Sequence, residues 1–162
     1  MKVLDPAIFP YDYKLSLTVA DIKMYWPSLN DEDFEFKSHF NPFYNCLAWA
    51  INVNTIFVTM NYFQKKHGLD INNLDHSVNG YAKILEEFYN YLSCENGEYE
   101  KGFEKILLYG DNNNLWTHAA RQIKEGMWVS KLGSCENIEH KNIECLNGNT
   151  YGEPKIFMKK VV

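Results

Sequence analysis

Apolar and polar positions along the chain change their period twice. Residues 1–44 carry much aromatic mass, including Phe9, Tyr11, Tyr13, Trp26, Phe34, Phe40 and Tyr44, with Pro6, Pro10, Pro27 and Pro42 between them and no sustained period. Such a stretch reads as loop-rich, with a short helix near Thr18–Met24. From Cys46 the run Leu47, Ala48, Trp49, Ala50, Ile51, Val53, Ile56, Phe57 and Val58 is apolar nearly all round, and Gln64, Lys65 and Lys66 return to solvent. That pattern predicts one enclosed helix from Cys46 to about His67, closed by Gly68. Tyr81, Ile84, Leu85, Phe88, Tyr91 and Leu92 fall on one face at helical spacing, predicting a second helix over Val78–Leu92 with Ser77 or Asn79 as cap.

After Glu95-Asn96-Gly97 the grammar turns extended. Lys105–Gly110 is a short apolar strand ended by Asp111-Asn112-Asn113-Asn114, and Thr117–Ile123 and Met127–Leu132 form a hairpin about Lys124-Glu125-Gly126. Ile156–Val162 is the last strand. Loops, then helices, then strands predict an α+β fold in one domain over 1–162: a loop-rich segment 1–44, a helical part 45–93 and an antiparallel sheet 103–162.

Length and charge narrow the classes. A chain of 162 residues is one domain of ordinary size, able to bury roughly 70% of the surface its unfolded form exposes. A net charge of -5 with no basic stripe argues against nucleic acid as a partner. Asp5, Pro6, Pro10 and Asp12 interrupt the N-terminus where a secretory signal needs an apolar core, and no run is long and apolar enough to span a membrane. The expected setting is cytoplasmic, with leaderless export as the other route and no membrane partner. Cys46, Cys94, Cys135 and Cys145 form no C-x-x-C pair and read as reduced thiols. The five histidines are scattered, so neither a metal nor a cofactor is expected.

Candidate chemistry centres on Asn45-Cys-Leu-Ala-Trp-Ala. Asn45 suits a helix N-cap, and a cysteine in the first turn lies where the helix terminus favours the thiolate. A buried core cysteine is the plainer reading of the same residue. His118 opens the first hairpin strand just after Trp116, at a sheet edge able to meet a helix start. A cysteine on a helix and a histidine on a following strand is the layout that activates a thiol in papain-like folds.

The run Lys105-Ile-Leu-Leu-Tyr-Gly, then Thr117-His118-Ala119-Ala120, Gly126 and a strand bearing Ser130 resembles the pattern of NlpC/P60-type cysteine hydrolases. The chain also resembles an uncharacterised bacterial family with blocks at Asn45–Ala50, Gly102–Ile106, Thr117–Gln122 and Trp128–Gly133, continuing through Ile138-Glu139-His140 and Tyr151-Gly152. The likeness covers Asn45 onward. The NlpC/P60 resemblance implies a papain-like fold with a Cys-bearing helix on an antiparallel sheet, and hydrolysis of an amide or peptide bond. Cys46 is then the nucleophile and His118 the general acid–base. The orienting position, occupied in that superfamily by His, Asn or Gln, falls at Ser130, with Glu136, Glu139 and His140 as substitutes. The oxyanion is expected at the Cys46 N–H, with the amide of Asn45 or Asn41. Trp116, Arg121 and Gln122 are the candidate substrate contacts, Arg121 for a carboxylate. Two other readings stand beside this one: a non-catalytic binding or immunity-type module of the same fold, and a transglutaminase- or deamidase-like acyl transferase using the same dyad. Oligomeric state is not expressed in the sequence.

Overall fold

A computed structural model describes residues 18–37, 41–133 and 135–162. Their helices are α1 (Val19–Tyr25), α2 (Cys46–Ala50), α3 (Met60–His67) and α4 (Val78–Tyr89). The strands are β1 (Phe34–Phe36), β2 (Leu92–Cys94), β3 (Phe103–Gly110), β4 (Trp116–Gln122), β5 (Trp128–Lys131), β6 (Asn137–His140) and β7 (Glu153–Val161). They form one seven-stranded sheet in the order β1-β6-β5-β4-β3-β7-β2, every neighbouring pair antiparallel. The α+β class expected from element order is the one observed. Phe9, Tyr11, Tyr13 and Phe40, read above as packing aromatics, lie outside the described residues.

The sheet carries a core on each face. Leu47, Ala48, Ala50, Phe63, Val78 and Leu85 from the helices meet Ile106, Leu108, Ala119 and Met158 on one side. On the other, Ile22, Trp26 and Leu29 meet Leu107, Tyr109, Ala120, Trp128, Ile138 and Tyr151. Adjacent strand residues point to opposite faces, so Ala119 looks toward α2 and its neighbours His118 and Ala120 look away from it.

The single helix expected over Cys46–His67 is two helices. Ile51 caps α2, Asn52 takes φ 60° and the chain turns before Thr59 caps α3. Asn45 holds that turn in place. Its Oδ1 accepts from the N–H groups of Ala48 and Val58, each at 3.1 Å, and its Nδ2 donates to the Val58 carbonyl at 2.8 Å. The apolar run from Leu47 to Val58 therefore reflects a short enclosed helix and the loop that folds back over it, not 22 residues of one helix.

The second helix also ends earlier than its apolar stripe suggests. Ser77 caps it as expected, but Asn90 adopts φ 61° and stops it, leaving Tyr91 buried beyond the end and Leu92 exposed at the start of β2. The hairpin strands, β3 and β7 fall where the alternation puts them, within a few residues, and α1 starts at a capping box between Thr18 and Asp21. Strands β1, β2 and β6 have no counterpart in the sequence reading. β1 lies within the segment read as loops and pairs with β6 across a hundred residues, Phe34 opposite His140.

Candidate active site

Cys46 begins α2, with Asn45 as its N-cap. The helix packs on β4 and β5, and the Cys46 sulfur meets the backbone N–H of Ala119, the residue after His118. The pairing of β4 with β5 ends at Ala120 opposite Ser130, so the thiol sits where the two strands part. Burial pushes the Cys46 thiol up to about 11; the N–H groups of Ala119, Leu47 and Cys46 itself and the ammonium of Lys131 act in the opposite direction and are outweighed. This corrects the expectation of a thiol made acidic by a helix terminus. A five-residue helix whose third N–H is already bonded to Asn45 provides little field, and a thiol removed from water loses the hydration that supports its anion.

His118 is fully buried on the opposite face of β4, among Tyr109 and Tyr151. Its Nε2 lies 3.0 Å from the Ser130 hydroxyl, which lies 2.8 Å from His140 Nε2, and His140 Nδ1 lies 3.0 Å from the Asn142 carbonyl. The far end of this relay determines the rest. A carbonyl only accepts, so His140 carries its proton on Nδ1 and its Nε2 accepts from Ser130; the Ser130 oxygen then accepts from His118 Nε2–H. The relay leaves His118 Nδ1 as an unprotonated lone pair, and that atom is buried with no hydrogen-bond partner among the described residues. Both rings are neutral at pH 7. Burial, then the charge of His140, holds His118 well below the ordinary imidazole range, and burial lowers His140 to about 4.

Ser130 is thus placed against His118, as the resemblance implies. His140, one of its substitutes, stands behind it and not in its stead. Cys46 and His118 are brought to adjacent points of β4, but among the described residues neither ring nitrogen of His118 bonds the thiol. Tyr151 stacks on the His118 ring, with centroids 3.9 Å apart and planes 10° from parallel. It belongs to the turn closed by mutual backbone bonds of Gly148 and Gly152, and the Thr117 hydroxyl donates to its carbonyl. Cys46 is 5% exposed and Tyr151 8%, so the pair is covered.

The residues read as oxyanion and substrate contacts are otherwise engaged. The Asn45 amide is occupied by Ala48 and Val58, which removes it as an oxyanion donor. Asn41 offers its side-chain oxygen to the Phe43 N–H. Arg121 points to the α2 face, 3.5 Å from Glu104, within bonding distance of Asn52 and over the Trp49 ring, so its charge is already matched. Gln122 is buried and donates to the Gly97 carbonyl at 2.6 Å. Trp116 stacks on Tyr81 at 4.5 Å, against the helical core. Of the other substitutes, Glu139 is near Lys37 at 3.6 Å, and Glu136 is buried.

Two residues of the site have no role in the sequence reading, which includes them only within its blocks. Tyr151 entered it only as part of a Tyr-Gly block. Lys131 is fully buried at the end of β5, a position where alternation within Trp-Val-Ser-Lys gives it the inward direction of Val129. An inward lysine in a strand was the available signal. Among the described residues, no group of three His, Cys, Asp or Glu side chains is placed to hold a metal ion, and no helix is long and apolar enough to cross a membrane.

No curated protein and no solved structure matches the chain. Residues 35–159 match the family described as a domain of unknown function, DUF7689. That span takes in β1 through most of β7 and every residue of the Cys46–His118–Ser130–His140 arrangement, and the chain belongs to this family.

Proposed function

We propose that the chain is a thiol hydrolase of papain-like, NlpC/P60-type arrangement that cleaves an amide or peptide bond through Cys46 and His118. The observation that carries this reading is the relay from the Asn142 carbonyl through His140 and Ser130, which leaves His118 Nδ1 buried, unprotonated and unpartnered. A buried polar atom without a partner calls for an explanation, and a base awaiting a proton is one. In the step proposed, His118 Nδ1 takes the thiol proton and the sulfur bonds the substrate carbonyl carbon. The C–N bond then breaks as His118 returns that proton to the leaving nitrogen. Water hydrolyses the thioester and restores the thiol. The N–H groups that face the sulfur, those of Ala119, Leu47 and Cys46, are the donors offered to the developing oxyanion. Turnover requires Tyr151 to leave the His118 ring, and that ring, which lies on the β4 face away from α2, to reach the Cys46 sulfur. With an amine in place of water the same dyad performs acyl transfer.

The Tyr151 stack and the covered thiol favour a second reading, a non-catalytic binding or immunity-type module that keeps the same framework. A panel of fluorogenic peptidyl amides, assayed with and without an amine acceptor, separates the two. The hydrolase reading expects turnover by the wild type that disappears in Cys46→Ala. Turnover unchanged by that substitution, or none across the panel from a folded protein, supports the binding module.

A further inference from the structure

We propose that Lys131 is a positioning residue whose ammonium stands as counter-charge to the Cys46 thiolate, and this rests on Cys46 being the nucleophile. The geometry reaches the same place by two routes. Ala120 pairs with Ser130, and alternation turns the adjoining residue of each strand, Ala119 and Lys131, to the other face, the one that α2 covers; the Ala119 N–H faces the Cys46 sulfur. From the other side, Lys131 Nζ donates to the Asn41 carbonyl at 2.7 Å and lies 4.6 Å from the centroid of Tyr44, so it grips the segment that leads into Cys46. A further bond, to the Cys135 carbonyl at 2.6 Å, anchors it to the sheet side.

The pocket encloses a cation. Lys131 is 0% exposed, and its ammonium is bonded to two neutral carbonyls and set over an aromatic ring, with the buried Glu136 carboxylate also acting on it. A buried charge is costly unless an opposite charge is near, and a thiolate at Cys46 adds one. The titratable groups that face it are the thiols of Cys46 and Cys135 and the carboxylate of Glu136; those that face Cys46 besides Lys131 are Tyr81 and Tyr151. Burial lowers Lys131 to about 8, while Cys46, Cys135 and Glu136 act to keep it charged. Lys131 and Cys46 therefore favour each other's charged form. When the proton of Cys46 leaves for His118, the fixed ammonium is the positive charge that remains against the sulfur. A staple for residues 41–46 with no effect on the thiol is the competing role.

The test is the pH dependence of Cys46 alkylation by iodoacetamide, followed by peptide mass spectrometry in the wild type, Lys131→Met and Lys131→Arg. Lys131→Met is expected to slow Cys46 alkylation near pH 7.5, where Lys131 is largely charged, about tenfold, with Lys131→Arg close to wild type. A folded Lys131→Met that alkylates Cys46 at the wild-type rate overturns the proposal. Should Lys131→Met fail to fold, the wild-type pH profile decides: the logarithm of the rate is expected to rise at unit slope below about pH 8 and more shallowly above it, where Lys131 loses its proton, and unit slope throughout overturns the proposal. Amide turnover that depends on Cys46, found together with a rate indifferent to Lys131, removes the Lys131 role and leaves the hydrolase. A rate that depends on Lys131 without amide turnover removes the hydrolase and leaves the coupled pair.

Discussion

His118→Gln is expected to lower kcat/KM for any amide that Cys46 cleaves by roughly 10²- to 10⁴-fold, the range a positioned general acid–base contributes. Glutamine is the informative substitute because it keeps a polar group against the Ser130 hydroxyl and fills much of the space beneath Tyr151. What it lacks is a lone pair able to take the thiol proton and return it. Ser130→Ala is expected to give a smaller loss, since the imidazole stays but His140 no longer fixes which nitrogen carries its proton. Steady-state kinetics with circular dichroism on each variant checks both. A His118→Gln protein with wild-type turnover excludes His118 from the chemistry.

Acid is expected to weaken the fold before carboxylates are protonated. His140 is held near 4 by burial against an ordinary value of 6.5, so the folded chain refuses a proton that the unfolded chain accepts. Stability is complete above about pH 6.5 and falls as pH drops from there toward 4, by about 3 kcal/mol for His140 alone. His118, also held neutral by burial, acts in the same direction. Against a total of roughly 5–15 kcal/mol for a domain, such a loss is large. Urea midpoints measured at intervals from pH 7 to 4 report it, and His140→Gln is expected to flatten the profile. A wild-type midpoint constant from pH 7 to 4 contradicts the assignment of two buried neutral imidazoles.

What the sequence made legible is what local chemistry decides. Asn45 and Ser77 cap helices because their side chains serve N–H groups three residues away, and the hairpin follows from alternation on either side of a Lys-Glu-Gly turn. Cys46, His118 and Ser130 were found through their order along the chain, and the register of β4 with β5 brings the last two together. The failures involve partners far apart. The break after α2 depends on Asn45 reaching Val58, thirteen residues on, and β1 exists only because β6 lies beside it. Arg121 looked available because its strand reads as an edge, whereas α2 lies over it and Glu104 matches its charge. The helix terminus predicts an acidic thiol, whereas the buried core position, the plainer reading of the same residue, sets the direction of its shift upward. His140 and Lys131 act through atoms of other elements, which spacing does not express.

Cys46 is proposed as a reactive thiol despite its cover, and competitive alkylation of the four cysteines separates that role from a core cysteine. Cys46, Cys135 and Cys145 are buried and Cys94 is partly exposed, so access alone ranks Cys94 first. The intact native protein is treated with limiting iodoacetamide at pH 7.5 and the sites are read by peptide mass spectrometry. Cys46 is expected to be modified faster than the equally buried Cys135 and Cys145, and His118→Gln is expected to remove this advantage. Modification of Cys94 first, with Cys46 as slow as Cys135 and Cys145, contradicts that role.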